Sequence, residues 1–191
     1  MKRAQADVRL STSEDASPPV ATSAPSGRRV DHDFGDGPVR AGRHTNPDGT
    51  TGGWVALTAH VDDTVTVAPG AAVFGNARVF GNARVLDEAQ VSGNARLDRS
   101  AVVAGRARVE GNSTVADALV GEGAHVTDNA HITGGARIGG TAEVRDEARV
   151  VGAAVVTGQA VIAGRAWVGG GEIGGEAFIG GSATVHPGAE V

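Results

Sequence analysis

From Val61 onward an aliphatic residue returns every six positions. The series runs Val61, Val67, Val73, Val79, Val85, Val91, Leu97, Val103, Val109, Val115. It continues through Val120, Val126, Ile132, Ile138, Val144, Val150, Val156, Ile162, Val168, and then Ile173, Ile179, Val185, Val191. Only the steps from Val115 to Val120 and from Val168 to Ile173 are one residue short. Self-similarity at a fixed period means stacked, near-identical units, each burying its apolar side chains against the next.

A six-residue unit is neither a helical turn nor a plain alternating strand. Two positions before nearly every aliphatic stands an Ala, Val65, Ser113 and Gly171 being the exceptions. Ala, an outward residue and the aliphatic then alternate in, out, in, as a short strand requires. An Ala so regularly placed marks a packing limit, where opposing walls leave no room for more. Between strands fall Gly-Asn, Asp-Glu and Gly-Gly pairs, residues that tolerate the positive φ of a tight corner. This Gly density, with β-branched residues at the inward sites, excludes helices.

Three corners close a triangle, so one coil takes 18 residues. A little over seven coils stacked at ~4.8 Å make a prism roughly 35 Å long. Asn76, Asn94, Asn112 and Asn129 are spaced 18, 18 and 17 apart, the last interval containing a short step. They are predicted to stack at one corner as a structural ladder of side-chain hydrogen bonds. The two short units are nine units apart, which places both on the same corner if each coil has three.

The rest of the chain reads differently. Residues 1–45 are rich in Ser, Pro, Ala, Arg and Asp without an apolar period, and are expected to form a disordered N-terminal arm. Residues 46–60, NPDGTTGGWVALTAH, are expected to form an N-terminal cap in which Trp54 and Leu57 cover the open end of the first coil. The β-helix itself is assigned to 61–191. Net charge −5 and pI ≈ 5.6 argue against a nucleic-acid partner. There is no Cys for a disulfide framework, no apolar run of membrane-spanning length and no apolar core of a signal peptide. Cytoplasmic is therefore the expected location, with no membrane partner.

The segment Gly52-Gly53-Trp54-Val55, followed by Val73-Phe-Gly-Asn-Ala-Arg, Val79-Phe-Gly-Asn-Ala-Arg and Val91-Ser-Gly-Asn-Ala-Arg, resembles hexapeptide-repeat proteins. That family of left-handed parallel β-helices includes acyltransferases and gamma-class carbonic anhydrases. Within it the chain is most similar to bacterial repeat proteins with a GGW-aliphatic segment and V-x-G-N-A units, over about residues 50–191. The resemblance implies an all-β, left-handed parallel β-helix and a habit of parallel trimers. Handedness comes from the resemblance alone, since the general crossover preference is right-handed.

Chemistry is sparsely indicated. Catalytic members of that family use a loop thrown out from a coil and a His base, and no insertion interrupts Val61–Val191. His131 and His125 are the candidate general bases, one unit apart and so on different faces, and their plainer reading is as solvated surface residues. No His pair of the prism has the column spacing that a shared zinc site needs. No metal or cofactor is expected, and no P-loop, nucleophile elbow or dinucleotide fingerprint is present.

Two outward columns carry more. Arg78, Arg96, Thr114, His131, Arg149, Trp167 and Thr184 are predicted to share one face, with Arg78, Arg96, His131 and Arg149 as an anion-binding stripe. On the adjacent face Val102, Leu119 and Val155, with small neighbours, form an apolar strip of the kind that marks an interface. A non-catalytic structural or binding module is thus expected, self-associating as a homotrimer or end-to-end stack. The arm and the bare C-terminal coil are its candidate contacts for a protein partner. The alternative is an acyltransferase using a carrier- or coenzyme A-bound acyl donor at a subunit interface.

Overall fold

The computed structural model describes residues 28–191, and among them the secondary structure is all β. Strands β1 (Val30–Asp33), β2 (Pro38–Thr45) and β3 (Thr51–Ala56) come first. Two- and three-residue strands follow, from β4 (His60–Val61) to β25 (Thr184–Val185). They fall into three sheets whose members recur every third strand. The result is a parallel β-solenoid of about seven coils with three flat faces.

Register follows the sequence period. On the first face Ala72 pairs with Gln90, Gln90 with Arg108, and Arg108 with His125. On the second face His60, Arg78, Arg96 and Thr114 are successive partners, and on the third Thr66, Arg84, Val102 and Leu119 are. Each coil donates amides to the carbonyls of the next, as Arg78 N does to Ala95 O at 2.9 Å and Phe80 N to Leu97 O at 3.0 Å. Strands of two residues are stable only because both of their edges are paired in this way.

The aliphatic series and the Ala series make up the core, and most members have no solvent exposure at all. Ser113, in an Ala position, is fully buried and donates its hydroxyl to Glu110 O at 2.7 Å. Both short steps lie at the corner between the second and third faces: Thr114–Ala116 leads to Leu119–Val120, and Trp167–Val168 to Glu172–Ile173. Register is kept across them, since Thr114 pairs with His131 and Val155 with Glu172, 17 residues on in each case.

Corners are closed by residues at positive φ. Between the first and second faces these are Gly75, Gly93, Gly111, Asp128, Asp146, Gly164 and Gly181. Six corner residues are not glycine: Asp87, Arg99, Asp117, Glu122, Asp128 and Asp146. Four of the acids accept the amide of the corner residue one coil on. Asp87 Oδ2 takes Gly105 N at 2.8 Å, Asp128 Oδ2 takes Asp146 N at 3.2 Å, Asp146 Oδ2 takes Gly164 N at 2.8 Å, and Glu122 takes Gly140 N. The left-handed conformation costs a residue with a Cβ about 1–2 kcal/mol, and this charge-assisted bond offsets it.

The N-terminal region departs from expectation in two ways. Residues 30–45 are not part of a disordered arm: β1 and β2 form an antiparallel hairpin that continues the first sheet through β3. The rest of the expected arm, residues 1–27, lies outside the described residues. Nor do Trp54 and Leu57 plug the open end. Trp54 points outward from the first face, where the His32 ring stacks on it at 4.3 Å and the Arg43 guanidinium lies 4.4 Å from its centroid. Leu57 is 37% exposed, while Val55 and Ala56 are the buried pair. Phe34 extends the aromatic row by stacking on Phe74 at 4.8 Å.

The first coil is closed instead by polar groups of β2 and the turn after it. Buried His44 sets Nε2 2.9 Å from Val65 O, and Asn46 Oδ1 accepts Val67 N at 2.9 Å. Both atoms belong to backbone that has no coil beneath it to pair with. Gly53 is required here, since a Cβ would collide with the carbonyls of Ala71 and Ala68. Among the described residues no helix is long and apolar enough to cross a membrane.

Candidate functional site

Six residues per unit and three units per coil put every eighteenth outward side chain in one vertical row. On the second face the row is His60, Arg78, Arg96, Thr114, His131, Arg149, Trp167 and Thr184. The four anion-site residues expected from the sequence, Arg78, Arg96, His131 and Arg149, therefore share one face and one row. His60, assigned to the cap, is also a member, and its place 18 residues before Arg78 was the available signal.

Beside this row runs the asparagine corner. Asn76 Nδ2 donates to Asn94 Oδ1 at 3.4 Å, Asn94 to Asn112 at 3.0 Å and Asn112 to Asn129 at 3.3 Å. One amide hydrogen and one carbonyl lone pair per internal rung are spent on the ladder, leaving each amide a second donor and a second acceptor site. The ladder continues in a different chemistry, with Arg165 Nε bound to Glu147 Oε2 at 3.1 Å.

Row and ladder bound a shallow open groove of about 830 Å³ that spans four coils, from Thr58 and His60 to Asn112 and Thr114. Its polar and charged groups are unevenly paired. His60 Nε2 lies 3.0 Å from Asp62 Oδ1, and Arg96 Nη2 2.7 Å from Asp98 Oδ2. The hydrogen bond from Arg96 holds the Asp98 carboxyl below the usual carboxylate range, against a smaller opposing effect of burial. Arg96 also stands 4.9 Å over the Phe80 ring. Arg78 lies between these two pairs, is exposed, and has Phe80 as its outward neighbour along the strand in place of an acid. Phe80 was not singled out in the sequence.

The histidine candidates are not brought together. His125 stands on the first face with Nε2 2.6 Å from Glu110 Oε1, and His131 stands exposed on the second between Thr114 and Arg149. A lone His–Glu pair on a flat face presents no nucleophile or oxyanion donors around a common point. Among the described residues no three His, Cys, Asp or Glu side chains gather as a metal would require.

On the third face Val102, Leu119 and Val155 share the row Thr66, Arg84, Val102, Leu119, Arg137, Val155, Glu172. Val102 and Leu119 are adjacent, and Arg137 separates Leu119 from Val155. The row beside it is Leu86, Ala104, Gly121, Gly139 and Thr157, small at every position after Leu86. Leu119 is 41% exposed and leans over Gly121, its Cδ2 3.3 Å from where a Cβ would stand. Compared with known proteins, the sequence matches no family model and no curated relative.

Proposed function

We propose that the protein is a non-catalytic scaffold, a rigid rod that assembles with copies of itself through its third face. The observation that supports this most is the profile of that face: a row of Ala and Gly beside Val102 and the half-exposed Leu119. A flat apolar surface on a straight rod fits a second identical surface with little loss of side-chain freedom. The assembly proposed is the parallel trimer habitual in the hexapeptide-repeat proteins, with the three third faces turned toward a common threefold axis so that the contacts close into a ring. In this reading the coils are left-handed, as in the hexapeptide-repeat proteins that the sequence resembles.

The test is the mass of the full chain in solution by light scattering. The scaffold reading expects a defined multiple of the 19.0 kDa chain. Val102→Asp with Val155→Asp, both on outward positions, is expected to reduce it to the monomer, because an unpaired carboxylate buried in the contact is costly. A wild-type monomer, or a multimer indifferent to both aspartates, contradicts this assembly. Saturable binding of a coenzyme A analogue would favour acyl transfer instead.

A further inference from the structure

We propose that the second-face groove binds an acidic oligosaccharide laid along the solenoid axis, with Arg78 receiving a sugar carboxylate. This goes beyond the scaffold reading and does not depend on it, since the groove and the third face are on different sides of the rod.

Three properties of the groove converge on that ligand. The first is its charge. His60 and Arg96 are each matched by a carboxylate two residues on, at 3.0 and 2.7 Å, and Arg78 between them is not. The next guanidinium of the row without an acidic partner is Arg149, four coils on, or about 19 Å at the spacing of paired strands. Widely spaced single cations suit a ligand with isolated charges. A nucleic acid, charged at every residue, would meet one uncompensated cation in the groove and a protein of net charge −5 around it.

The second property is the pairing of donors and acceptors. Asn76, Asn94 and Asn112 are held in place by the ladder, each Nδ2 spending one hydrogen on the next rung. What remains on each amide is a donor and an acceptor at fixed height, which matches the hydroxyl of a sugar, itself both. Because the ladder orders these side chains before a ligand arrives, little rotamer entropy is lost on binding. A bare inorganic anion, which only accepts, would leave the amide carbonyls unused.

The third is the Phe80 ring beside Arg78, packed between the His60 ring at 5.2 Å and Arg96 and offering its half-buried apolar edge to the C–H groups of a sugar. Phe80 also carries Arg96 at 4.9 Å, so its orientation is set before binding. The four-coil length of the groove admits several linked sugars and no enclosed small molecule.

Titration calorimetry and amide NMR on the full chain test this with a hyaluronate tetrasaccharide, charged at every second sugar, with its fully methyl-esterified form and with a thymidine tetranucleotide. Expected is saturable binding of the hyaluronate, with shifts confined to Arg78, Phe80 and the asparagine corner. Loss of one charge-assisted hydrogen bond predicts that Arg78→Gln weakens it about tenfold or more. Arg108→Gln, exposed on the first face, should leave affinity unchanged. Arg78 is exposed, so the variant should melt with the parent and any loss is one of binding. Failure of the hyaluronate to bind overturns the proposal. So does equal binding of the neutral ester, preference for the tetranucleotide, or an Arg78→Gln chain that binds as well as the parent.

Discussion

Asp146 shows how single residues hold the coils together. It sits at φ 60° in a corner stack otherwise made largely of glycine, and its Oδ2 takes the amide of Gly164 on the next coil at 2.8 Å. Asp146→Ala keeps the strained backbone and loses the bond, whereas Asp146→Gly loses the bond and relieves the strain. The Ala variant should therefore be the less stable by about 1 kcal/mol, read as a lower melting temperature; the reverse order would refute the backbone strain assigned to this corner. The Asp-Glu pairs were legible in the sequence as corners, but not as coil-to-coil acceptors, because a side chain's reach to the next coil depends on the φ it adopts. The Ala positions were more transparent. Ala136 has no exposure and faces the other two walls, so Ala136→Leu should cost about 1–3 kcal/mol by overpacking. An unchanged melting temperature would mean that the bore is wider than a ring of methyl groups allows.

At the scale of elements, the repeated strands were readable because each repeats the same inward pair, and a single weak unit is outvoted by its neighbours. The hairpin of β1 and β2 was not. VDHD and PVRAGRHT carry no apolar period, and their order comes from pairing with β3 and from the row His32, Trp54, Phe34 and Phe74. Those contacts are invisible until the first face exists to receive them. For the same reason the cap was assigned to Trp54, the bulkiest residue at hand, when His44 and Asn46 do the closing. Asn46→Ala would leave Val67 N buried without an acceptor, at a cost of about 1–3 kcal/mol. In a structure where each coil touches only its neighbours, the effect should stay local. Amide exchange is expected to quicken at Val67 and Ala68 and to hold at Val109 and Val126; uniform acceleration would show a cooperative unit larger than the end coil.

For the whole molecule, the period decides the number of faces, and the faces decide which side chains can act together. That is why the second-face row and the asparagine ladder could be listed by residue number from spacing alone. The groove they form could not, since it also needs the compensation of Arg96 by Asp98 and the placement of Phe80. All of this rests on three units per coil, and the absence of native cysteine among the described residues and in the sequence makes it directly testable. Adjacent strands bring outward Cα atoms to about 4.8 Å, within reach of a disulfide. Cysteine pairs at Arg96 and Thr114, 18 apart, and at Thr114 and His131, 17 apart across the short step, should both oxidise within one chain. A pair at Arg84 and Arg108, 24 apart and on different faces, should not. Cross-linking of the third pair and not the first two would mean a four-sided coil, and would contradict every row described above.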